Sequence, residues 1–463
     1  MKNRIYFNNP EFSKNVWLEL SLNRLVLMPI ILLMILLIVF ISNDNLTERM
    51  KLIQIWCVVI FLFLICVWGT KLSSESVINE INERTWDDQK LTLLTPETIS
   101  WGKLFGSTIY QWYGGGICLV IFLIVTFFTQ NFVKDLKLLS LLILVGVFTH
   151  SSVISASLVS IKRNSSQIKL KSTPIFMGGL LLGFFLTSYS WGLMEANAGK
   201  FTWYGIDFKL SNFLLISLLF FLFWNIVGLY QNMKYEFRFS TGIIVWITFL
   251  ASLIIYLNGF LSNLGKITSS EGLTLGSGIS FIVCVVFTYL LILLEPKYIV
   301  DFRLLIDKFQ KQDWYKFQIN LPLWLVSLFF SIIFGFILFM LSVSLNSYNL
   351  QNEGYSIVFP INLIFFVLRD TMIFLFFNLS PNSKRADLTA VFYLLVLYGL
   401  IPSFLYVAEL KILYPIFFPT FESNFMLGTI PIFIQFVIML FFTVRRFKKE
   451  GIVLQKTRSS VIS

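Results

Sequence analysis

Long apolar blocks alternate with short polar segments along the whole chain, and the blocks have the length of a membrane-crossing helix. Twelve can be delimited, near 25–42, 52–69, 107–128, 138–160, 174–193, 212–230, 241–258, 278–294, 321–344, 357–378, 388–408 and 425–443. The ~10-residue alternating strands of an outer-membrane barrel would be shorter and half polar. The expected fold class is therefore all-α, a polytopic helical membrane protein of about 12 transmembrane helices.

Composition agrees. The chain is 57% hydrophobic and 17% aromatic but only 13% charged, against about 25% charged in soluble domains. A formal net charge of +11 would suit nucleic acid, but the bases sit in the connections between apolar blocks, so no nucleic-acid partner is expected. With both termini inside, the inner segments hold 27 of the 36 lysines and arginines and the outer loops 8, with Arg369 left within a span. The positive-inside rule then makes both termini cytoplasmic. The four cysteines (Cys57, Cys66, Cys118, Cys284) all lie inside apolar blocks, and His150 is the one histidine. A multi-histidine metal site is excluded, and the thiols read as small hydrophobes.

Residues 1–24 precede the first block without a small-residue cleavage site, which makes that block an anchor. Phe12, Val16 and Leu20 recur every fourth residue there, beside Trp17 and the polar Lys14, Glu19 and Arg24. That spacing predicts an amphipathic helix at the membrane interface. A first six-span core covers 25–230 and a second 241–443, with a basic tail at 444–463.

The longest connection, 70–104, departs from the basic trend of the inner segments. It carries six acids (Glu75, Glu80, Glu83, Asp87, Asp88, Glu97) against four bases, together with Leu91, Leu93, Leu94 and Ile99. Acidic and half-apolar, it suits contact with a protein better than with anionic headgroups. Pro96 predicts a break, with a short helix ending near Leu94 or Thr95 and a second, capped by Thr98 or Ser100, running into the third span.

Glu83-Arg84, Leu93-Leu94, Thr95-Pro96 and Gly102-Lys103, in that order before the third span, resemble the link between spans two and three in ABC transporter permeases of the type-two (ABC-2-like) exporter class. The interfacial helix opening with Asn9-Pro10 is similar to that family's elbow helix. The resemblance covers about the first 130 residues and departs at Thr85-Trp86, where the family has Gly-Thr. It implies that 70–104 is a coupling loop seated in a groove of an ABC ATP-binding subunit, with Glu83, Arg84, Leu94, Pro96 and Lys103 transmitting its motion. It also implies an exporter of the cell (inner) membrane, working in the lipid bilayer with a second permease chain or with two fused halves. The three Gly-Lys pairs, at Lys103, Lys200 and Lys266, are followed by Leu, Phe and Ile, not by the Ser or Thr of a P-loop. No cofactor is expected in this chain. ATP and magnesium would belong to the partner subunit.

The loop 295–320 holds the equivalent place in the second half but shares little wording with 70–104, and only about ten residues join spans six and seven. A degenerate second half and a six-span core with six added spans both fit. Arg369 and Asp370 fall mid-way through the tenth block, where a charge costs at least ~2.5–3.5 kcal/mol. Neighbours ~100° apart on a helix are expected to face separate partners, lining a substrate path or locking bundles together. The bland alternative is a broken span that leaves the pair near the surface. His150, in the serine-rich "THSSVISASLVS", completes the intramembrane polar candidates. Small and hydroxyl residues there point to close helix packing, with a proton relay as the alternative. Gly114-Gly115-Gly116 reads as a packing or bending point, and Pro29, Pro360 and Pro402 as kinks.

Two rivals remain beside the exporter reading. An ion-gradient-driven secondary transporter would use Arg369, Asp370 or His150, and a membrane enzyme would need paired carboxylates at a membrane face. The orientation is directly testable. A fluorescent protein fused after Ser463 is expected to fluoresce, and alkaline phosphatase fused there to stay inactive. The opposite pattern would reverse every side assignment above.

Overall fold

The computed structural model describes residues 9–462 except 43, 93, 129–131, 164–169, 196–199, 265–268, 347–357, 381–384 and 421–424. Among the described residues, twelve helices are long and apolar enough to cross a membrane. Spans 1–6 are Leu22–Ile41, Leu46–Asn82, Ile109–Thr126, Phe132–Lys162, Thr173–Gly192 and Leu210–Glu236. Spans 7–12 are Ile244–Ser262, Ser270–Leu294, Leu323–Ser344, Phe359–Asn378, Ala386–Val407 and Phe425–Lys449. Each coincides with one predicted block, and the chain is an all-α, multi-pass membrane protein.

Several helices outrun their apolar blocks. Span 2 is one rod of 37 residues: α-helical from Leu46 to Leu62, π-helical over Phe63–Gly69, and α-helical again through the polar Thr70–Asn82. A helix satisfies its own backbone in lipid and in water alike, so a change of solvent gives it no reason to stop. An unpredicted feature is a two-stranded ribbon, Lys200–Trp203 paired with Ile206–Lys209. Tyr204 and Gly205 make its turn with φ of 51° and 75°. Two positive φ values in succession match the twist of a hairpin.

The chain divides into two compact units, Met1–Phe201 with Asp207–Thr241, and Thr202–Ile206 with Gly242–Ser463. In the first, span 1 buries the stripe Met28, Leu32, Leu36 and Val39 against spans 2 and 3, while Val26, Ile30, Leu33 and Ile38 stay exposed. Such outward apolar faces are what lipid as solvent demands. Since hydrocarbon supplies no hydrophobic drive between helices, close packing must hold them together. Small residues provide it. A Cβ on Gly114 would lie 3.0 Å from Leu64 and Met28, and one on Gly115 3.2 Å from Phe61, while Gly116 faces open space. The glycine run is a packing point, and span 3 continues through it as regular helix. On span 5, a Cβ on Gly183 would come within 3.2 Å of Thr149, and one on Gly179 within 2.2 Å of Val153.

In the second unit, spans 8, 9, 10 and 11 bury Ile292, Trp324, Val367, Phe374 and Ala390 together. Loop 295–320 forms two helices, Ile299–Gln310 and Trp314–Asn320. Pro29 sits inside the span 1 helix. Pro360 stands instead in the first turn of its helix, where no intrahelical bond is lost, whereas Pro402 lies inside the continuous helix of span 11. Pro402 follows a π-helical stretch, Val396–Leu400, of that span.

Gly179→Ala is expected to lower the thermal stability of the detergent-solubilised protein by about 1–3 kcal/mol, the usual cost of overpacking. Gly178→Ala, whose Cβ meets nothing within 4 Å, should leave it unchanged. Equal melting temperatures for the two variants would contradict the close approach of spans 4 and 5.

Candidate functional site

The connection singled out by sequence folds as an angular lever. Thr70–Asn82 continues span 2, Thr85–Lys90 is a short helix, and Pro96–Gly106 leads to span 3. Arg84 closes the first segment with φ of 64°, the left-handed region that glycine enters more easily. The chain makes this turn with arginine. The second break differs in detail from expectation. The short helix ends at Lys90, and Thr95 is the N-cap, its hydroxyl accepting from Thr98 N at 3.3 Å, with Pro96 in the first turn. Thr98 and Ser100 do not cap. Ser107 and Thr108 form a turn before span 3, so the helix does not run on into it.

Lys103 is the centre of the arrangement. It is 2% exposed, pairs with Glu80, lies 3.5 Å from Glu11, and donates to Ser76 O at 3.5 Å. Lys14 reaches the same two carboxylates at 3.5 and 3.6 Å. The interfacial helix Pro10–Glu19, the end of span 2 and the Pro96–Gly106 helix are thereby clamped by one alternating charge cluster. Glycines let the backbones come close enough: a Cβ on Gly102 would sit 2.6 Å from Glu11 Cβ, and one on Gly106 2.9 Å from Asn15 Nδ2. Asn9 donates to Thr98 O at 2.7 Å. The Gly-Lys pair thus has a packing and charge-pairing explanation that needs no phosphate.

Trp86 ties the tip to the membrane helices. It is buried edge-on against Phe237 with ring centroids 5.8 Å apart, and Lys103 lies 5.3 Å from its ring. Val77, Ile99, Leu104, Ile154, Leu158, Leu229 and Met233 close the surrounding core, with Leu94 packed at its edge. Lys90 bridges Asp87 and Glu236, each at 3.5 Å. Asn82 exchanges two hydrogen bonds with the backbone of Leu170, at 3.0 and 3.1 Å.

The five coupling candidates therefore separate. Glu83 and Arg84 are exposed at the tip, while Leu94, Pro96 and Lys103 belong partly or wholly to the interior. Leu93 lies outside the described residues. Leu91, passed over among those candidates, is 85% exposed beside the exposed Asp87 and Asp88. Glu11, Glu80 and Trp86 were also missed as partners. Their one signal was the excess of acids near a lone buried-to-be lysine, which does not name pairs.

In the second unit Arg369 and Asp370, each 1% exposed, reach separate partners on other spans as expected, and they also pair with each other. Arg369 folds back on Asp370, with Nε and Nη2 donating to Oδ1 at 2.9 and 2.8 Å. The hydroxyls of Tyr289 and Tyr398 both donate to Oδ2 at 2.7 Å. Arg369 Nη1 donates to Gln435 Oε1 at 2.8 Å, and Gln435 donates on to Ile416 O at 3.0 Å. Span 10 is unbroken through the pair, which removes the surface alternative. The network joins spans 8, 10, 11 and 12, with the tyrosines and Gln435 supplying what sequence position alone could not pair.

His150 is fully buried, its Nε2 2.9 Å from Ile65 O in the π-helical part of span 2. Ile65 O also accepts from Thr70 N within the π-helical ladder, and the imidazole is a further partner. Gly69 makes room, since a Cβ there would lie 2.6 Å from Nε2. Asn225 on span 6 donates to Ser151 and Ser152 at 2.8 and 2.7 Å, so the serine-rich face is a hydrogen-bonded packing seam. His150 belongs to the first unit and the Arg369–Asp370 pair to the second.

In loop 295–320, Lys297 is buried with Asp387 at 3.1 Å, and Glu295 accepts from Leu323 N at 3.1 Å, capping span 9. Lys311 and Lys308 hold the Asp307 carboxyl below its usual range, and Lys316 does so for Asp313. Burial pushes Asp301 up. Among the described residues no group of three or more His, Cys, Asp or Glu could hold a metal ion.

No protein-family model, curated protein or solved structure matches the chain.

Lys103→Met is expected to destabilise the protein by about 3–5 kcal/mol, because it leaves buried Glu11 with only the half-exposed Lys14 as counter-ion. Adding Glu11→Gln and Glu80→Gln should restore most of the loss, whereas Lys14→Ala, at the exposed edge, should cost under about 1 kcal/mol. Thermal denaturation in detergent measures all three. A triple variant no better than the single would show that the cluster is not an electrostatic clamp.

Proposed function

We propose that the chain is the membrane-spanning permease subunit of an ATP-driven, ABC-type exporter, coupled to a separate ATP-binding subunit. The observation that carries this reading is the lever. Its exposed tip (Glu83, Arg84, Asp87, Asp88 and Leu91) is fixed through Trp86 and the Lys103 cluster to spans 2, 4 and 6 and to the interfacial helix. A push on such a tip moves whole helices, as a coupling element must. The order Glu83-Arg84, Thr95-Pro96, Gly102-Lys103 supports the same reading by resemblance. The absence of a P-loop in the sequence assigns ATP and magnesium to the partner. The lever then faces the cytoplasm of the cell membrane, the bilayer surrounds the spans, and a second permease chain or the second unit completes the transport path.

The ion-gradient alternative has less support. The carboxylate of Asp370 accepts from Arg369, Tyr289 and Tyr398, which leaves little room for a carried ion. The exporter reading is tested by affinity purification of the tagged chain in mild detergent, beside Leu91→Asp and the double variant Glu83→Ala, Arg84→Ala. These side chains are exposed, so the variants should fold. An ATP-binding subunit is expected in stoichiometric amount with the wild type and at least about tenfold reduced with the variants, the scale of a hot-spot loss. Wild-type protein free of any ATPase at every detergent strength would refute the assignment.

A further inference from the structure

The loop 295–320 holds in the second half the place that the lever holds in the first, but its surface is of another kind. Its helices, Ile299–Gln310 and Trp314–Asn320, turn back on each other at Gln312, which has φ of 55°. Phe309, Trp314 and Phe317 meet ring against ring at this turn, with centroids 5.7, 5.6 and 6.1 Å apart. The cluster is not interior. Phe309 and Trp314 are each more than half exposed, Tyr315 is 70% exposed, and no residue of the second helix is buried. Val300 and Leu304 extend the exposed apolar surface along the first helix. Lys311 and Lys316 stand beside the rings and are more exposed than Asp307 and Asp313, the carboxylates they pair with. The lever is built the other way about, with Trp86 buried and Asp87 and Asp88 outside.

Position decides what covers this surface. Span 9 begins at Leu323, eight residues after Tyr315, which is ~12 Å along a helix. On the other arm, Ile299 and Phe302 pack on the core of the bundle, and the Phe302 ring lies 6.4 Å from that of Trp324 in the first turn of span 9. Glu295 accepts from Leu323 N and closes the base of the loop. Both helices are thereby held close to the point where a membrane-crossing helix begins. Span 8 leads to the same place. Its exposed stripe, Ile282, Val286, Leu290 and Leu294, recurs every fourth residue and carries on into the loop at Tyr298. Apolar surface is continuous from the part of the chain that crosses the bilayer to the aromatic turn. Tryptophan and tyrosine favour the headgroup level of a membrane, and lysine stems lie along apolar surface while their ammonium groups reach outward. Cytoplasmic leaflets add a negative surface that attracts such lysines.

We propose that the helical hairpin 299–320 lies on the bilayer, with Trp314 and Tyr315 in the headgroup layer and Lys311 and Lys316 at lipid phosphates. It fixes the ends of spans 8 and 9 at this boundary and is not a second lever. The inference does not depend on the exporter reading.

The test puts a nitroxide on the full chain in nanodiscs of phosphatidylethanolamine and phosphatidylglycerol, with no other substrate or subunit present. Depth is read from collisions with oxygen and with a water-soluble nickel chelate. The native cysteines are buried, so Tyr315→Cys, Gln318→Cys and Asp88→Cys each direct the label to one exposed position, and the unsubstituted chain gives the background. Labels at 315 and 318, on one side of their helix, should lie within the roughly 5–8 Å headgroup layer, and the label at 88, on the lever, should lie in water. A label at Lys316→Cys, ~100° round the helix, should read shallower than the one at 315. Adding Trp314→Asp, an exposed change that the fold should tolerate, should move the label at 318 out into water. Labels at 315 and 318 as open to the nickel chelate as the one at 88 would overturn the proposal and leave the aromatic turn as a surface for a protein partner. A headgroup depth at 318 that Trp314→Asp does not change would overturn it too, because the spans alone would then set that depth.

Discussion

Hydrocarbon makes no hydrogen bonds, and most of this structure follows from that single refusal. A backbone in lipid must satisfy itself, so the chain spans as helices. Side chains that need partners must find them on neighbouring helices, and they do so in a few concentrated places. Arg369 and Asp370 saturate one another and draw Tyr289, Tyr398 and Gln435 around them. His150 meets the Ile65 carbonyl of span 2, and Asn225 meets the hydroxyls of span 4. Between these points the helices touch through glycines and small residues, because greasy surfaces gain nothing by leaving lipid for one another.

At the end of the first unit that carries the lever the logic changes. Here water is near and charge can be used in bulk, yet Lys103 and Glu11 are buried as deeply as groups within the spans. Burying ions is costly unless each has a partner, and the alternating cluster meets that condition with two lysines and two glutamates. The outcome is a junction in which three helices that never meet in sequence are held in one relative position. Rigidity at that junction suits a surface that receives a mechanical push.

How much was legible follows from which forces act locally. The twelve spans were legible because each is decided by its own twenty or so residues. Pro96 announced a break for the same reason, and its cap was misplaced by three or five residues because Thr95, Thr98 and Ser100 are alike as cappers. The ribbon at Tyr204-Gly205 had a local signature, an aromatic alternation around a turn, but the helical background hid it. Lys103 stood out by its motif, and its burial did not, since that depends on Glu11, 92 positions away. Arg369 and Asp370 reach separate partners, as helix geometry led one to expect, but their pairing with each other was not foreseen. A long guanidinium stem can turn back to its neighbour, and in a dry interior it does.

Span 2 joins the two regimes, and its π-helical stretch sets their relative phase. Above Phe63 its buried side chains face the membrane core through Ile53, Cys57 and Phe61, and beyond Gly69 they face the lever through Ser73, Ser74, Val77 and Ile78. A π-turn accommodates one residue more than an α-turn, and one residue is ~100° of rotation about the axis. Deleting a single position between Phe63 and Gly69 would leave a smoother rod, and it would swing Glu80 a quarter-turn or more away from Lys103. The irregular stretch is a phase-setting element. It lets one helix satisfy a lipid-embedded bundle with one face and a charged clamp with another.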